Sequence, residues 1–386
     1  MRLSTRHLIA AGLVAIAAGA VFGAIAGTMF LTSGDFKFHL DIAKRFSESG
    51  RPAVPHFLFH GATAVVYAVL PGASLAAAGT LVMAAAYFLT GGVAYAMFWR
   101  RLRESRLAAP RWLAVATLAT LIAQPITMAP GYTLGYLWPE PYTSPTYSMM
   151  KPFALAGFAA TAWFLARRRA PSVGIVLLFA LVSIASGLSK PNFIICLLPA
   201  AALLTTYRIW RRQPVSTAAL VVGLFVPAAA IVAWQIFASF AVGGDADAAM
   251  YQDSVSWAPL KFMRHWATGL TAKFVASTLF PLTVTAAYWP QARRDTLLQC
   301  GWLCFGFGAF YSYALAETRN FHTGNFVWSG YITVFTLFVA AAVVWLREAA
   351  AAEGKWPVGR ALVCGAGFAL HVASGARLTW QYLSAP

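Results

Sequence analysis

The sequence predicts an all-α polytopic membrane protein of about 11 transmembrane helices, with an amphipathic, partly re-entrant first outer loop. Three observations carry that expectation. The chain is 60% hydrophobic and 11% charged, with a mean hydropathy of +0.65, too apolar to clothe itself for water. Apolar runs of roughly 17 to 25 residues recur, the length a helix needs to cross about 30 Å of hydrocarbon while satisfying its own backbone. They lack period-two alternation, which excludes a β-barrel. Finally, the basic residues come as short arginine clusters between the runs, so the net charge of +17 reads as a topology signal and not as a nucleic-acid surface.

The first run lies in "MRLSTRHLIAAGLVAIAAGAVFGAIAGTMFL". At about 24 residues it exceeds the roughly 7 to 15 of a secretory signal core, predicting an uncleaved first span. The spans then fall at roughly 8–31, 74–98, 112–129, 152–166, 173–189, 192–207, 217–241, 268–289, 297–315, 325–346 and 359–377. With the N-terminus cytoplasmic, "WRRLRESRLAAPR", "ARRRAPS", "YRIWRRQP", "PQARRD" and "LREAAAAEGKWPVGR" are inside loops. Together with the N-terminus they hold 18 of the 29 Lys and Arg residues. Eight of the 12 acidic residues fall outside, and six of the seven histidines lie at or near the same side. This threading puts the C-terminus outside and fits a bacterial-type inner membrane.

Residues 57–71 are too short for a span and would reverse the arginine pattern, so 32–73 form one outer loop. Nothing divides the chain into separate units: residues 1–386 read as a single integral domain. Cys196, Cys300, Cys304 and Cys364 all sit in apolar runs, where packing explains them.

The chemistry-bearing residues concentrate in "TSGDFKFHLDIAKRFSESGRPAVPHFLFH", residues 32–60. Helical spacing sets Asp35, Phe38, His39, Ile42 and Phe46 on one face, with Lys37, Asp41, Lys44, Arg45 and Glu48 on the other. Asp35 reads either as a helix N-cap or as a partly desolvated base. His39 follows one turn later, and His56 and His60 share the same i, i+4 spacing. A divalent metal, where one is used, falls to such a pair, through Asp35 and His39 or His56 and His60. Cations toward the outer side are Lys151 in "YSMMKPF", Lys190 in "GLSKPNF", Lys261 and Arg264 in "LKFMRHW", Arg319 and Arg377. Lys151 and Lys190 precede prolines at span ends, and snorkelling to the interface is their plainer reading. In "ETRNFHTGNFVW", Glu317 can orient Arg319, with His322 in the same loop. The loop "GYTLGYLWPEPYTSPTYSMM", with Trp138 and Glu140, suits sugar stacking or an interfacial aromatic belt.

A first span ending in "GD", the amphipathic "DFKFHLDIAKRFSESG" and then "RPAVPHFLFH" entering an apolar segment together resemble the first outer loop of the GT-C superfamily of polytopic glycosyltransferases. The resemblance implies a polyprenyl-phosphate-linked sugar donor, a glycan or lipid acceptor, and Asp35 in the position of the catalytic acid residue. The family's commoner "DE" or "DD" pair is here Asp35 followed by Phe36. Transfer from polyprenyl phosphate requires a base for the acceptor hydroxyl and positive charge for the departing phosphate. Asp35 and His39 are the catalytic candidates, with His56, His60, Lys151, Lys190, Glu317, Arg319 and His322 around the substrate. The alternatives are a polysaccharide polymerase or ligase, a transporter of lipid-linked substrates, and a non-catalytic assembly protein; no nucleic-acid partner is expected.

Overall fold

The structure is a computed structural model that describes residues 4–126, 144–169, 171–241, 255–318, 324–352 and 355–384. The described residues are largely helical. In order come α1 (Thr5–Thr32), α2 (Gly34–Ser49), α3 (Leu58–Val69), α4 (Leu75–Leu102), α5 (Pro110–Ile122), α6 (Pro145–Leu165), α7 (Val173–Ser189) and α8 (Asn192–Trp210). There follow α9 (Thr217–Leu220), a π-turn at Val221–Phe225 and α10 (Val226–Ala241), then α11 (Lys261–Trp266), α12 (Leu270–Ala287), α13 (Trp289–Ala292), α14 (Thr296–Ala314), α15 (Val327–Ala350) and α16 (Lys355–Leu383). Two short strands, β1 (Val255–Trp257) and β2 (Leu315–Glu317), pair antiparallel with Val255 opposite Glu317.

A helix overlies each of the eleven predicted apolar segments. Among the described residues, seven helical stretches are long and apolar enough to cross a membrane: α1, α4, α8, Thr217–Ala238, α12, α15 and Trp356–Leu383. Helices α3, α5 and α7 are apolar but shorter. At 1.5 Å per residue, the 12 residues of α3 extend only about 18 Å, too little for a bilayer core.

Small residues allow the tightest packing. In α1, Gly19, Gly23 and Gly27 recur every four residues and face α4; a Cβ on Gly23 would stand 2.8 Å from Ala84 Cβ, and one on Gly19 2.9 Å from Ala84 O. In lipid, where apolar area gives helices little reason to associate, such backbone approach supplies the dispersion contact. The hub is α15: 89% of its apolar window is buried, against 33–56% in the other six.

Three expectations change. The third segment, expected helical over 112–129, leaves the helix at Ile122, because Pro125 disfavours helical geometry at Gln124. The freed backbone is caught by neighbours: Gln124 N donates to His371 O at 3.1 Å, and Ile126 N to Ala276 O at 3.4 Å. The fourth segment begins seven residues early, at Pro145, so Lys151 lies inside α6. Lastly, α16 continues to Leu383, which puts His371 near its middle and not toward an end.

The bundle has two chemically distinct ends. At one, Arg208 at the end of α8 donates to Leu165 O at the end of α6 (2.9 Å) and to Thr296 Oγ1 at the start of α14 (2.6 Å). Asp295, which caps α14, accepts from Arg347 at the end of α15 (2.9 Å) and lies 3.9 Å from Arg101 at the end of α4. The opposite end holds α2, α3 and the candidate site.

Candidate functional site

Helix α2 begins directly after Ser33, whose extended backbone forms the N-cap without a side-chain bond. Asp35 is therefore not the cap: it sits in the first turn, where a carboxylate is favoured by the helix dipole. The helix ends at Gly50, whose φ of 67° admits the left-handed closing turn, with Gly50 N donating to Phe46 O at 2.9 Å. Its inward stripe is Phe36, His39, Ile42 and Ala43, not the stripe through Phe38 expected from spacing. Phe36 packs edge-on against Phe30 of α1, drawing the helix round so that Asp35 lies at the rim, its side chain 48% exposed. Asp41, Lys44, Arg45 and Glu48 face outward.

From the rim inward the polar groups form a chain. Asp35 Oδ2 lies 3.8 Å from His39 Nε2, ion-pair distance but too long for a direct hydrogen bond. His39 Nδ1 is 2.9 Å from Nε2 of His60, which reaches it from α3. One of these two nitrogens must carry the proton. With Nε2–H of His39 turned to Asp35, His39 Nδ1 accepts from His60 Nε2–H, and His60 Nδ1 is left bare. That nitrogen is buried and has no hydrogen-bond partner, a position that suits a bare acceptor better than a stranded N–H. His56 precedes α3, so the expected i, i+4 face with His60 does not form; their rings are 6.4 Å apart.

Lys190, at the tight turn between α7 and α8, supplies positive charge to all four groups. Partial burial at the rim raises the Asp35 carboxyl, and the Lys190 ammonium partly offsets this. Burial pulls His39, His56 and His60 down, His60 to about 3, and Lys190 adds to the effect. These imidazoles are neutral at pH 7. Lys190 itself is lowered to about 8 by burial, against the opposing pull of Asp35 and Glu317. Glu317 is buried in β2, held by the strand pairing to Val255.

Around Lys190 lies an aromatic and hydroxyl cluster that spacing alone does not reveal. Its Nζ donates to Thr146 Oγ1 at 3.4 Å and stands 5.1 Å from the Trp328 ring. Lys151 does not snorkel: it is 5% exposed, donates to Tyr87 OH at 3.2 Å, and its Nζ is 4.9 Å from both the Tyr87 and Tyr147 rings. Tyr147 in turn packs on Trp328, ring centroids 5.1 Å apart. Asn192 ties the wall together, donating to Asn325 O at 2.8 Å and Ser329 Oγ at 2.9 Å. Asn192, Thr146, Tyr147 and Trp328 were not singled out by spacing, although Thr146 and Tyr147 lie in "GYTLGYLWPEPYTSPTYSMM", Trp328 closes "ETRNFHTGNFVW" and Asn192 follows Lys190 in "GLSKPNF".

Asp35, His39, His56, His60, Lys190 and Glu317 are thus brought into one electrostatic neighbourhood, with Lys151 deeper in α6. Lys261 and Arg264 are exposed on α11, and Arg377 is exposed late in α16. Arg319, His322, Trp138 and Glu140 lie outside the described residues. Among the described residues, no three His, Cys, Asp or Glu side chains converge as metal ligands. Asp35 and His39 offer two donors, and His39 frees Nε2 for a cation only if its proton moves to Nδ1, toward His60.

Fold and composition define an α-helical, multi-pass membrane protein. No known family matches the sequence, and no curated protein matches it.

Proposed function

We propose that the protein is a GT-C-like glycosyltransferase that moves a sugar from a polyprenyl-phosphate donor to a glycan or lipid acceptor at the outer face of a bacterial-type inner membrane. In this reading the chain crosses eleven times, with the arginine-rich end cytoplasmic. The observation that carries it is the rim carboxylate of Asp35, backed by His39 at 3.8 Å and influenced by the buried ammonium of Lys190. A base and a cation therefore meet at one end of the bundle.

Asp35 takes the proton from the acceptor hydroxyl as its oxygen attacks the anomeric carbon, with inversion. The new C–O bond forms while the bond from that carbon to the phosphate oxygen breaks. Polyprenyl phosphate leaves as an anion beside Lys190, so no general acid is required. The proton on Asp35 then passes to water at the exposed rim. His39 stands beside the carboxylate at 3.8 Å, and His60 fixes the tautomer of His39. A divalent cation held by Asp35 and His39 would add charge for the phosphate.

The test is Asp35→Asn in the purified full chain, supplied with polyprenyl-phosphate sugars. Loss of transfer with unchanged thermal stability supports the assignment; full transfer sinks it. One observation favours a transporter of lipid-linked substrates instead, namely Lys151 buried inside α6. Substrate crossing sealed vesicles without any covalent product would establish that alternative.

A further inference from the structure

At the basic end of the bundle the arginines divide by what they hold. Arg208, Arg347 and Arg101 bind helix ends or Asp295, and Arg106 donates to Ala350 O and, at 3.0 Å, to Ala352 O. Arg100, in the last turn of α4, and Arg167, just beyond α6, instead lie against one indole: their Cζ atoms are 4.6 Å and 4.3 Å from the Trp163 ring. Both arginines are exposed and the ring is half-buried. A guanidinium stacked on a ring keeps its edge N–H groups available for a planar or tetrahedral oxyanion.

The charges acting on Arg100 are Arg167, Arg101 and Arg103, all positive. The nearby carboxylates are engaged, Glu104 with Arg103 at 3.4 Å and Asp295 with Arg347 and Arg101. Like charges held together on one ring call for an anion. Apolar strips also lead away from both arginines. Leu89, Val93, Ala96 and Arg100 follow one face of α4 at i, i+4, i+7 and i+11, while Phe153 and Ala160 share a face of α6 at heptad spacing, and Arg167 lies two residues past the end of α6. Leu89 and Phe153 line an apolar cavity of about 460 Å³ between α3, α4 and α6. The eleven residue steps from Leu89 to Arg100 rise about 16 Å, half of a bilayer core and so the depth of one leaflet.

We infer that Arg100, Trp163 and Arg167 bind the phosphate headgroup of an anionic phospholipid, with one acyl chain laid along the α4–α6 strip to the cavity rim. The occupant is a lipid and not a free anion, because the charge and the one-leaflet apolar strip are continuous.

The experiment uses the full chain in nanodiscs of phosphatidylcholine, with and without phosphatidylglycerol, read by thermal unfolding and by native mass spectrometry of retained lipid. Wild type is expected to retain phosphatidylglycerol over phosphatidylcholine and to gain unfolding temperature from it, with both effects weakening at high salt. R100Q/R167Q should lose affinity for phosphatidylglycerol by roughly tenfold or more. Trp163→Leu should lose part of it with both charges intact. Absence of headgroup preference in wild type, which depends on no variant folding, would overturn the inference. So would undiminished preference in R100Q/R167Q, or equal stabilisation by inorganic phosphate in phosphatidylcholine nanodiscs.

Discussion

His39 Nδ1 and His60 Nε2 stand 2.9 Å apart and join α2 to α3 through a single shared proton. The contact gives Asp35 a fixed neighbour, since a neutral imidazole with its other nitrogen bound cannot freely exchange tautomers. It also predicts a graded mutational series. His60→Gln places an amide within reach of His39 and is expected to retain most transfer; His60→Ala is expected to lose roughly tenfold or more in kcat with little change in acceptor KM. A merely structural role for His60 would lower the unfolding temperature of both variants together and leave kcat per folded molecule unchanged.

The same histidines make stability depend on pH with a definite sign. His60 is held neutral down to about 3 against an ordinary value of 6.5, and His39 and His56 are lowered in the same sense. In the unfolded chain they take up protons as pH falls through 6.5, whereas in the folded protein they do not. Their stabilising contribution is therefore complete above 6.5 and is lost as pH falls toward the depressed values. The unfolding temperature should drop between pH 7 and pH 5, and the drop should shrink in His60→Gln; an unchanged drop would place the titration elsewhere.

Much of this architecture is legible in the sequence, because hydrocarbon thickness translates directly into apolar run length. Hence a helix lies on each predicted segment, and residues 32–73 gather as α2 and α3 at the end opposite the arginine-rich loops. Pairing across helices is not legible in the same way. Spacing predicts Asp35 with His39, which the structure places 3.8 Å apart, but it also predicts His56 with His60, where His60 bonds His39 instead. That partner depends on how α3 folds back over α2, a property of packing and not of periodicity. Lys151 shows the same limit: Pro152 suggests a helix boundary, yet α6 runs through it and carries the lysine inward against Tyr87 and Tyr147.

The close approach of α1 and α4 has a cost that can be measured. Gly23→Ala puts a methyl 2.8 Å from Ala84 Cβ, which is short and tied to its own backbone, so the helices must separate. The expected loss is about 1 to 3 kcal/mol of stability, seen as a lower unfolding temperature in detergent. Gly12→Ala is the control, because nothing lies within 4 Å of that position and the better helix former should be neutral or mildly stabilising.

Lys190 ties the proposed base to the proposed leaving group, and its removal should act on both in opposite limbs of the pH profile. Its ammonium partly offsets the burial that raises the Asp35 carboxyl. In Lys190→Gln the carboxyl should rise further, so that the acid limb of kcat/KM moves to higher pH. Lys190 is itself lowered to about 8, and the wild-type protein should lose donor affinity as pH climbs past that value and the charge is lost. The variant should show weaker donor binding throughout, with no loss centred near 8. Lys190→Arg keeps a charge that does not titrate in this range and should abolish the basic limb while retaining donor binding. A basic limb that persists in both variants would mean that Lys190 does not face the phosphate.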